Sequence, residues 1–154
     1  STIGIIPAMK TFLEKSEAHL AVSLHTPFDE ERRQLMPVQV AYPIAQVVDE
    51  IRKWDFSHQR RVSFEYIMFR DFNDTPRHVR ELTRLLNGLS CRINLIRFHP
   101  IPGTPLLGSH EETITSFRES LNNKGILTTV RASRGQDIYA ACGLLSTREL
   151  LKKE

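Results

Sequence analysis

Two kinds of residue in this sequence could do chemistry: a cysteine near the C-terminus, and polar residues at the ends of predicted strands. Cys142 lies between Ala141 and Gly143, and Arg131 and Arg134 precede it. Nearby cationic side chains favour the thiolate, which is the reactive form of cysteine. Cys142 is therefore a candidate nucleophile, although a free structural thiol explains the same residue.

The second group of candidates follows from where the predicted strands end. In parallel α/β folds, catalytic and binding residues gather at the carboxyl ends of the strands. The polar residues predicted there are Ser1, Thr2, Ser23, His25, Glu65, Asn94 and His99. Each has an ordinary structural explanation, such as packing for Ser23 or an arginine partner for Glu65. Because an unpaired buried polar group costs about 1–3 kcal/mol, polar residues at one depth in successive strands together favour a bound ligand.

The hydrophobic pattern predicts the elements that position these residues. Apolar residues alternate with polar ones in the predicted strands, which are 3–6, 19–25, 61–69, 91–98 and 126–130. Helical spacing predicts a helix after each of the first four strands, and Ser109–Glu112 reads as a capping box that begins the last one. This α/β order predicts a parallel sheet with right-handed crossovers, in part of a (β/α) barrel or in a doubly wound sheet.

Length and composition are typical of one globular domain. The chain has 154 residues, of which 40% are hydrophobic and 25% are charged. No apolar run approaches the roughly 20 residues of a membrane span, so no membrane partner is expected. Two cysteines do not make a disulfide framework, which favours a cytoplasmic location. A formal net charge of +3 permits nucleic-acid binding without requiring it.

Several common cofactor motifs do not occur in the sequence. There is no Gly-x-Gly-x-x-Gly dinucleotide fingerprint and no Gly-x-x-x-x-Gly-Lys phosphate loop. No Cys-x-x-Cys or His-x-x-x-His spacing supports a metal site, so no metal ligand is predicted within the chain. Cys91 precedes a predicted strand and is expected to be buried or inert.

Four segments, in this order, carry a resemblance to a known family. They are Ser1-Thr-x-Gly-x-x-Pro7, Ala21-Val-Ser-Leu-His25, Asn94-Leu-Ile with Pro102-Gly103 after it, and Ser133-Arg-Gly-x-Asp137 followed by Ala140-Ala-Cys-Gly143. The set resembles the C-terminal half of the catalytic domain of the radical S-adenosylmethionine (SAM) RNA methyltransferases of the RlmN/Cfr type. The resemblance implies that residues 1–154 are the C-terminal portion of that domain, folded as part of a radical-SAM-type (β/α) partial barrel with parallel strands and outer helices.

The resemblance also implies an activity, namely methylation of an adenine C2 in 23S ribosomal RNA and in transfer RNA, with SAM and a [4Fe–4S] cluster. Cys142 matches the cysteine that first receives a methyl group from one SAM. A 5′-deoxyadenosyl radical from a second SAM then takes a hydrogen from the methylated cysteine, and the carbon radical adds to the adenine. An electron donor is needed for the cluster. The residues that match SAM-contacting positions are Ser1, Ser23, Leu24, His25 and Asn94.

The chain departs from the family pattern in what it lacks. The Cys-x-x-x-Cys-x-x-Cys cluster motif, the resolving cysteine, the catalytic glutamate and the N-terminal RNA-binding region do not occur. Because the chain begins at Ser1 within a predicted strand, we expect a piece of a longer protein. We expect this piece to be inactive alone, with the cluster ligands outside it. Arg97 and His99 stand where family members often have Pro and Asn.

Two other functions stay open on the sequence alone. One is another radical SAM enzyme in which Cys142 has a different role. The other is a non-catalytic βα module that binds RNA through basic side chains, and binding of that kind weakens steeply as salt rises. The basic residues that could contribute are Arg32, Arg33, Lys53, Arg60, Arg61, Arg131 and Arg134.

Overall fold

The structure, a computed structural model, describes residues 1–57, 61–100 and 102–132. Strands and helices alternate within these ranges. The helices are α1 (Ile6–Lys15), α2 (Asp29–Leu35), α3 (Ile44–Ile51), α4 (Pro76–Leu85) and α5 (Glu111–Asn123), and a 3₁₀ turn spans Pro37–Val40. The strands are β1 (Leu20–Ser23), β2 (Val62–Met68), β3 (Arg92–Arg97) and β4 (Leu127–Val130). Within the described ranges, no helix has both the length and the apolarity to cross a membrane.

The four strands form one parallel sheet in the order β1-β2-β3-β4. The predicted strand at 3–6 is wrong. Thr2 makes a single parallel bridge to Val22, and α1 begins at Ile6. Pro7 explains the early start, because its fixed φ and missing N–H suit the first turn of a helix. Gly4 makes the turn between bridge and helix at φ +96°, in the left-handed region that favours glycine.

One hydrophobic core covers one face of the sheet. Alternate strand residues such as Val22, Phe64 and Ile93 are fully buried, and β2 alternates buried and half-buried positions along its whole length. The helices contribute Met9, Leu13, Ile44, Val47, Val48, Ile51, Val79, Leu82, Ile114, Phe117 and Leu121 to this same cluster. A doubly wound sheet would have helices and a core on both faces. The single described core therefore fits the partial-barrel alternative, with helices outside the sheet.

The predicted capping box at Ser109 is wrong. Helix α5 begins at Glu111 with His110 as its N-cap, and no side-chain cap bond forms. The Ser109 hydroxyl instead donates a hydrogen bond to Asp74 Oδ2 at 2.7 Å. Because Ser109 holds the loop after β3 against the turn after β2, its oxygen does not serve the helix.

Candidate functional site

Four side chains form a line across the face of the sheet opposite the core. Strand register places Ser23 beside Glu65, Glu65 beside Asn94, and Asn94 beside Thr129. Asn94 Nδ2 donates to Glu65 Oε1 at 2.8 Å, and Thr129 Oγ1 donates to Asn94 Oδ1 at 3.0 Å. We call Ser23, Glu65, Asn94 and Thr129 the polar row. The two members that were predicted to contact SAM, Ser23 and Asn94, flank Glu65.

Glu65 brings a carboxylate to the middle of the polar row. Its Oε2 atom is buried and has no hydrogen-bond partner among the described residues. The guanidinium of Arg131 lies 3.6 Å from that oxygen, which forms an ion pair but is long for a hydrogen bond. Arg131 is therefore the arginine partner that was the structural explanation for Glu65, but it leaves Oε2 without a hydrogen bond.

His25 follows β1 in a conformation that few residues other than glycine adopt. Its φ is +60°. The backbone N–H of Ile67 donates to His25 Nδ1 at 3.0 Å, so Nδ1 is an acceptor and the ring proton lies on Nε2. Burial and the nearby Arg32 charge lower the pKa of His25 to about 4. At neutral pH His25 thus offers a ligand an N–H donor rather than a charge.

Asn73 fixes His25 in that conformation, and the sequence alone did not single it out. Asn73 is fully buried in the turn after β2. Its Nδ2 donates to the carbonyls of His25 at 2.6 Å and Ile67 at 2.7 Å, and its Oδ1 accepts from the N–H of Phe69 at 2.7 Å. The Asp- and Asn-containing segment 71–74 indicated only a turn. Nothing in that pattern showed that one amide would join the ends of two strands.

Arg32 lies inside the molecule, so its assignment to a basic RNA-binding surface is wrong. It is 0% exposed. Its guanidinium donates to the carbonyls of Leu24 at 3.2 Å, Ser23 at 3.0 Å and Ile3 at 3.2 Å. A further bond of 2.6 Å reaches Gln39 Oε1, and Gln39 in turn donates to Asp29. Burial lowers the pKa of Arg32 to about 10, which leaves a positive charge directly behind the Ser23–His25 segment.

Two other members of the basic set have acidic neighbours. Arg33 pairs with Glu30 at 2.9 Å, and Lys53 pairs with Glu50 at 2.8 Å. The two partners of each pair are three residues apart in the sequence. These charges are partly neutralised, so the described residues give little support to a continuous basic surface.

The comparisons with known proteins agree in sequence and in fold. No protein-family model matches the chain. It is 56% identical over 147 residues to a probable dual-specificity RNA methyltransferase RlmN of Parabacteroides distasonis, covering 96% of this chain and 43% of that protein. A relative of the same name from Porphyromonas gingivalis is 54% identical over 154 residues, covering 100% of this chain and 45% of its own length. A radical SAM methyltransferase crystal structure from Sphaerobacter thermophilus has a TM-score of 0.87 at 40% identity, over 93% of this chain and 43% of that one.

The chain is homologous to the C-terminal part of the RlmN-type RNA methyltransferases. It spans somewhat under half the length of the curated relatives that it matches. A domain of a pyruvate-formate lyase-activating enzyme from Bacteroides vulgatus has a TM-score of 0.66 at 13% identity, which shows the fold alone. The α/β partial-barrel prediction is thereby confirmed.

The structure brings together some, but not all, of the residues that were predicted to bind SAM. Asn94 lies in the middle of β3, beside Glu65 at the middle of β2, whereas Ser23 ends β1 and His25 follows it. Leu24 lies between them, but its side chain is 0% exposed, its N–H donates to Glu65 O and its carbonyl accepts from Arg32. The bridge between Thr2 and Val22 places Ser1 beside Ala21, two positions before Ser23. Ser1 is exposed and lines a cavity of about 220 Å³ near the amino end of β1.

The structure does not describe the predicted nucleophile. Cys142 and the segments 133–137 and 140–143 fall outside the described residues. Cys91 is a free, half-buried thiol whose pKa is raised to about 11 by burial, as expected of an inert cysteine. Across residues 1–57, 61–100 and 102–132, no group of three or more His, Cys, Asp or Glu side chains could hold a metal ion.

Proposed function

We propose that residues 1–154 form the C-terminal portion of the catalytic domain of a cytoplasmic RNA methyltransferase that methylates an adenine C2 in 23S rRNA and in tRNA. The observation that carries the proposal is the polar row across the sheet face opposite the core, in a chain 56% identical to an RlmN-type relative. Ser23 and Asn94, two of the positions that match SAM-contacting residues of the family, belong to the polar row, and His25 lies two residues after Ser23.

SAM fits the chemistry of the polar row and of His25 beside it. The molecule carries ribose hydroxyls and an ammonium as donors, and a carboxylate and ring nitrogens as acceptors. Glu65 offers a buried acceptor without a partner among the described residues. His25 offers an Nε2–H donor, and the Arg32 charge lies behind the segment. When bound, SAM supplies the methyl group and the radical precursor, while Ser23, His25 and Asn94 hold and orient it.

The iron–sulfur cluster does not fit the described residues, which offer no ligand group for a metal. We therefore place its ligands outside this chain and assign no step to it here. The same assignment makes the 154-residue chain inactive when it is alone. An external electron donor for the cluster belongs to this proposal.

Cys142 is the residue to which we assign the reacting carbon. Its thiolate takes a methyl group and later presents that carbon to the adenine, since an adenine C2 is neither acidic nor open to a simple methyl donor. Small neighbours at 140, 141 and 143 leave room for this approach. The RNA must present its base unstacked, from a loop or by flipping.

Methylation of cellular RNA in a strain without the gene tests this function. We expect 2-methyladenosine to disappear from 23S rRNA and tRNA, each purified separately and analysed by mass spectrometry. The wild-type gene and the matched control C91A should restore it, whereas C142A should not. Restoration by C142A, or an unchanged 2-methyladenosine content in the deletion strain, would overturn the proposal. If 2-methyladenosine disappears from only one of the two RNA classes, that class alone is the substrate.

A further inference from the structure

Glu65 is unusual among the buried glutamates of this molecule. Three described glutamate side chains are at most 19% exposed: Glu31 at 19%, Glu50 at 11% and Glu65 at 13%. Both oxygens of Glu50 accept hydrogen bonds, from Trp54 and Lys53. Both oxygens of Glu31 are likewise bound, to Arg77 on one side and to Thr26 and His78 on the other. Glu65 alone of the three leaves one oxygen without a hydrogen-bond donor among the described residues.

A purely structural role does not explain that oxygen. Glu65 Oε1 accepts the bond from Asn94, and the carbonyl oxygen of a glutamine would accept it equally well. The second oxygen adds only the cost of burying an unsatisfied polar atom. Arg131, the nearest cation, is 3.6 Å away with a side chain that is 63% exposed. An ion pair with a flexible, exposed arginine at that distance contributes little to the stability of the folded protein.

The position of Glu65 shows what the second oxygen faces. In the polar row it lies between Ser23 and Asn94, and neighbouring strands are about 4.8 Å apart. Any molecule that contacts both Ser23 and Asn94 must pass over Glu65. The bonds of Asn94 to Glu65 and of Thr129 to Asn94 also hold the Glu65 carboxylate in one orientation.

We propose that Glu65 is the ligand-binding residue at the centre of the polar row, and that its Oε2 accepts a hydrogen bond from an O–H or N–H donor of the bound SAM molecule. The donor is a ribose hydroxyl or the methionine ammonium. This assignment rests on the proposed function. It adds a residue that is not among the positions that the family resemblance assigns to SAM contact. It also gives the carboxylate a role that a glutamine cannot fill, because an amide nitrogen in place of Oε2 does not accept.

The test compares E65Q with the matched control E50Q in the full-length protein that contains this chain. We expect E65Q to bind SAM about 10- to 100-fold more weakly by calorimetry, as for loss of one hydrogen bond to a charged group. E50Q should bind as the wild type does. Without ligand, the melting temperature of E65Q should equal or exceed that of the wild type, because burying a neutral amide costs less than burying a charged carboxylate.

Two probes identify the donor. 5′-Methylthioadenosine keeps the ribose hydroxyls but lacks the ammonium, whereas S-adenosylhomocysteine has both. Weaker binding of both probes to E65Q would assign the ribose, and weaker binding of the second alone would assign the ammonium.

Three results would contradict the assignment. Equal SAM affinity for E65Q and wild type would overturn it and leave the proposed function standing. A ligand-free melting temperature lowered in E65Q, with SAM affinity unchanged, would show a structural role instead. Failure of the wild-type protein to bind SAM at all would overturn the proposed function and this assignment together.

Discussion

At the scale of single residues, His25 makes stability depend on pH. Its pKa is lowered from 6.5 to about 4 in the folded protein, chiefly by burial and then by Arg32. Between these values the unfolded chain binds the proton more readily, so stability is complete above pH 6.5 and falls as the pH drops toward 4. We expect this residue alone to remove up to about 3 kcal/mol of unfolding free energy across that window.

The variant H25N isolates this effect. Asparagine tolerates a positive φ and keeps an acceptor near the position of Nδ1, but it does not titrate. Chemical denaturation at pH 4.5 and pH 7 should therefore show a smaller difference for H25N than for wild type. H110Q, which changes an exposed histidine, should keep the wild-type difference. An identical pH dependence in wild type and H25N would contradict the account of His25.

Asn73 is the second residue whose removal has a definite cost. N73A leaves the His25 and Ile67 carbonyls and the Phe69 N–H without their partner. We expect the unfolding free energy to fall by about 3 kcal/mol, since each unsatisfied buried group costs about 1–3 kcal/mol. N87A changes an exposed asparagine and should stay within about 0.5 kcal/mol. Urea denaturation of both variants decides the point, and equal midpoints would refute it.

At the scale of elements, Arg32 ties helix α2 to the end of β1 and to the segment before α1. In R32M the carbonyls of Ile3, Ser23 and Leu24 each lose the hydrogen bond from Arg32, although Leu24 keeps the one from the Thr26 N–H. We expect amide hydrogen exchange to become faster at Ser23, whose N–H donates to Thr2 across the bridge. R33M, which removes an exposed arginine from the same helix, should leave that exchange rate unchanged. Equal protection of Ser23 in both variants would mean that Arg32 does not hold these elements together.

Gly108 fixes the loop after β3 against the end of β2. A Cβ at this position would lie 2.8 Å from the carbonyl oxygen of Phe98, which is closer than Cβ atoms approach other atoms in proteins. Gly108 also bridges to Phe69, and its carbonyl accepts from Arg70. G108A should therefore lower the free energy of unfolding more than G103A does. A Cβ at position 103 would meet nothing within 4 Å, so G103A costs only the roughly 1–2 kcal/mol that a φ of +82° imposes on alanine. Thermal unfolding that ranks the two variants in the opposite order would show that the loop yields easily.

The sequence predicted which segments form strands and helices better than it predicted which residues of those segments lie side by side. Period-two alternation correctly placed Ser23 on the face of β1 opposite the buried Leu20 and Val22, because side-chain direction follows from the backbone of a strand. The same alternation was wrong for His25, which lies beyond the end of β1 with a φ of +60°. It could not place Thr129 beside Asn94, because register depends on contacts between distant segments. Arg32 was misassigned for the same reason. Its partners are carbonyl groups, which leave no mark in a sequence pattern.

At the scale of the whole molecule, the candidate site exists only because three separate segments meet. Ser23, Glu65 and Asn94 are 42 and 29 positions apart in succession, and the parallel register places them side by side. Cys142, on a segment outside the described residues, is assigned to the chemistry by its sequence alone.

The isolated chain gives a prediction at this same scale. Because no metal-ligand group occurs among its described residues, the 154-residue chain reconstituted with iron and sulfide should not cleave SAM reductively. Chromatographic detection of 5′-deoxyadenosine after addition of dithionite measures this. Stoichiometric iron together with 5′-deoxyadenosine formation would show that the cluster ligands lie within the chain after all.

The most direct test of the proposed SAM site is the affinity of the full-length protein for SAM with and without the Asn94 side chain. N94A removes the amide that bonds to Glu65 and Thr129 at the centre of the polar row, and N87A removes an exposed amide far from it. The account predicts SAM binding at least about 10-fold weaker for N94A, in line with loss of more than one hydrogen bond, and unchanged for N87A. Wild-type affinity in N94A would mean that SAM does not bind over the polar row.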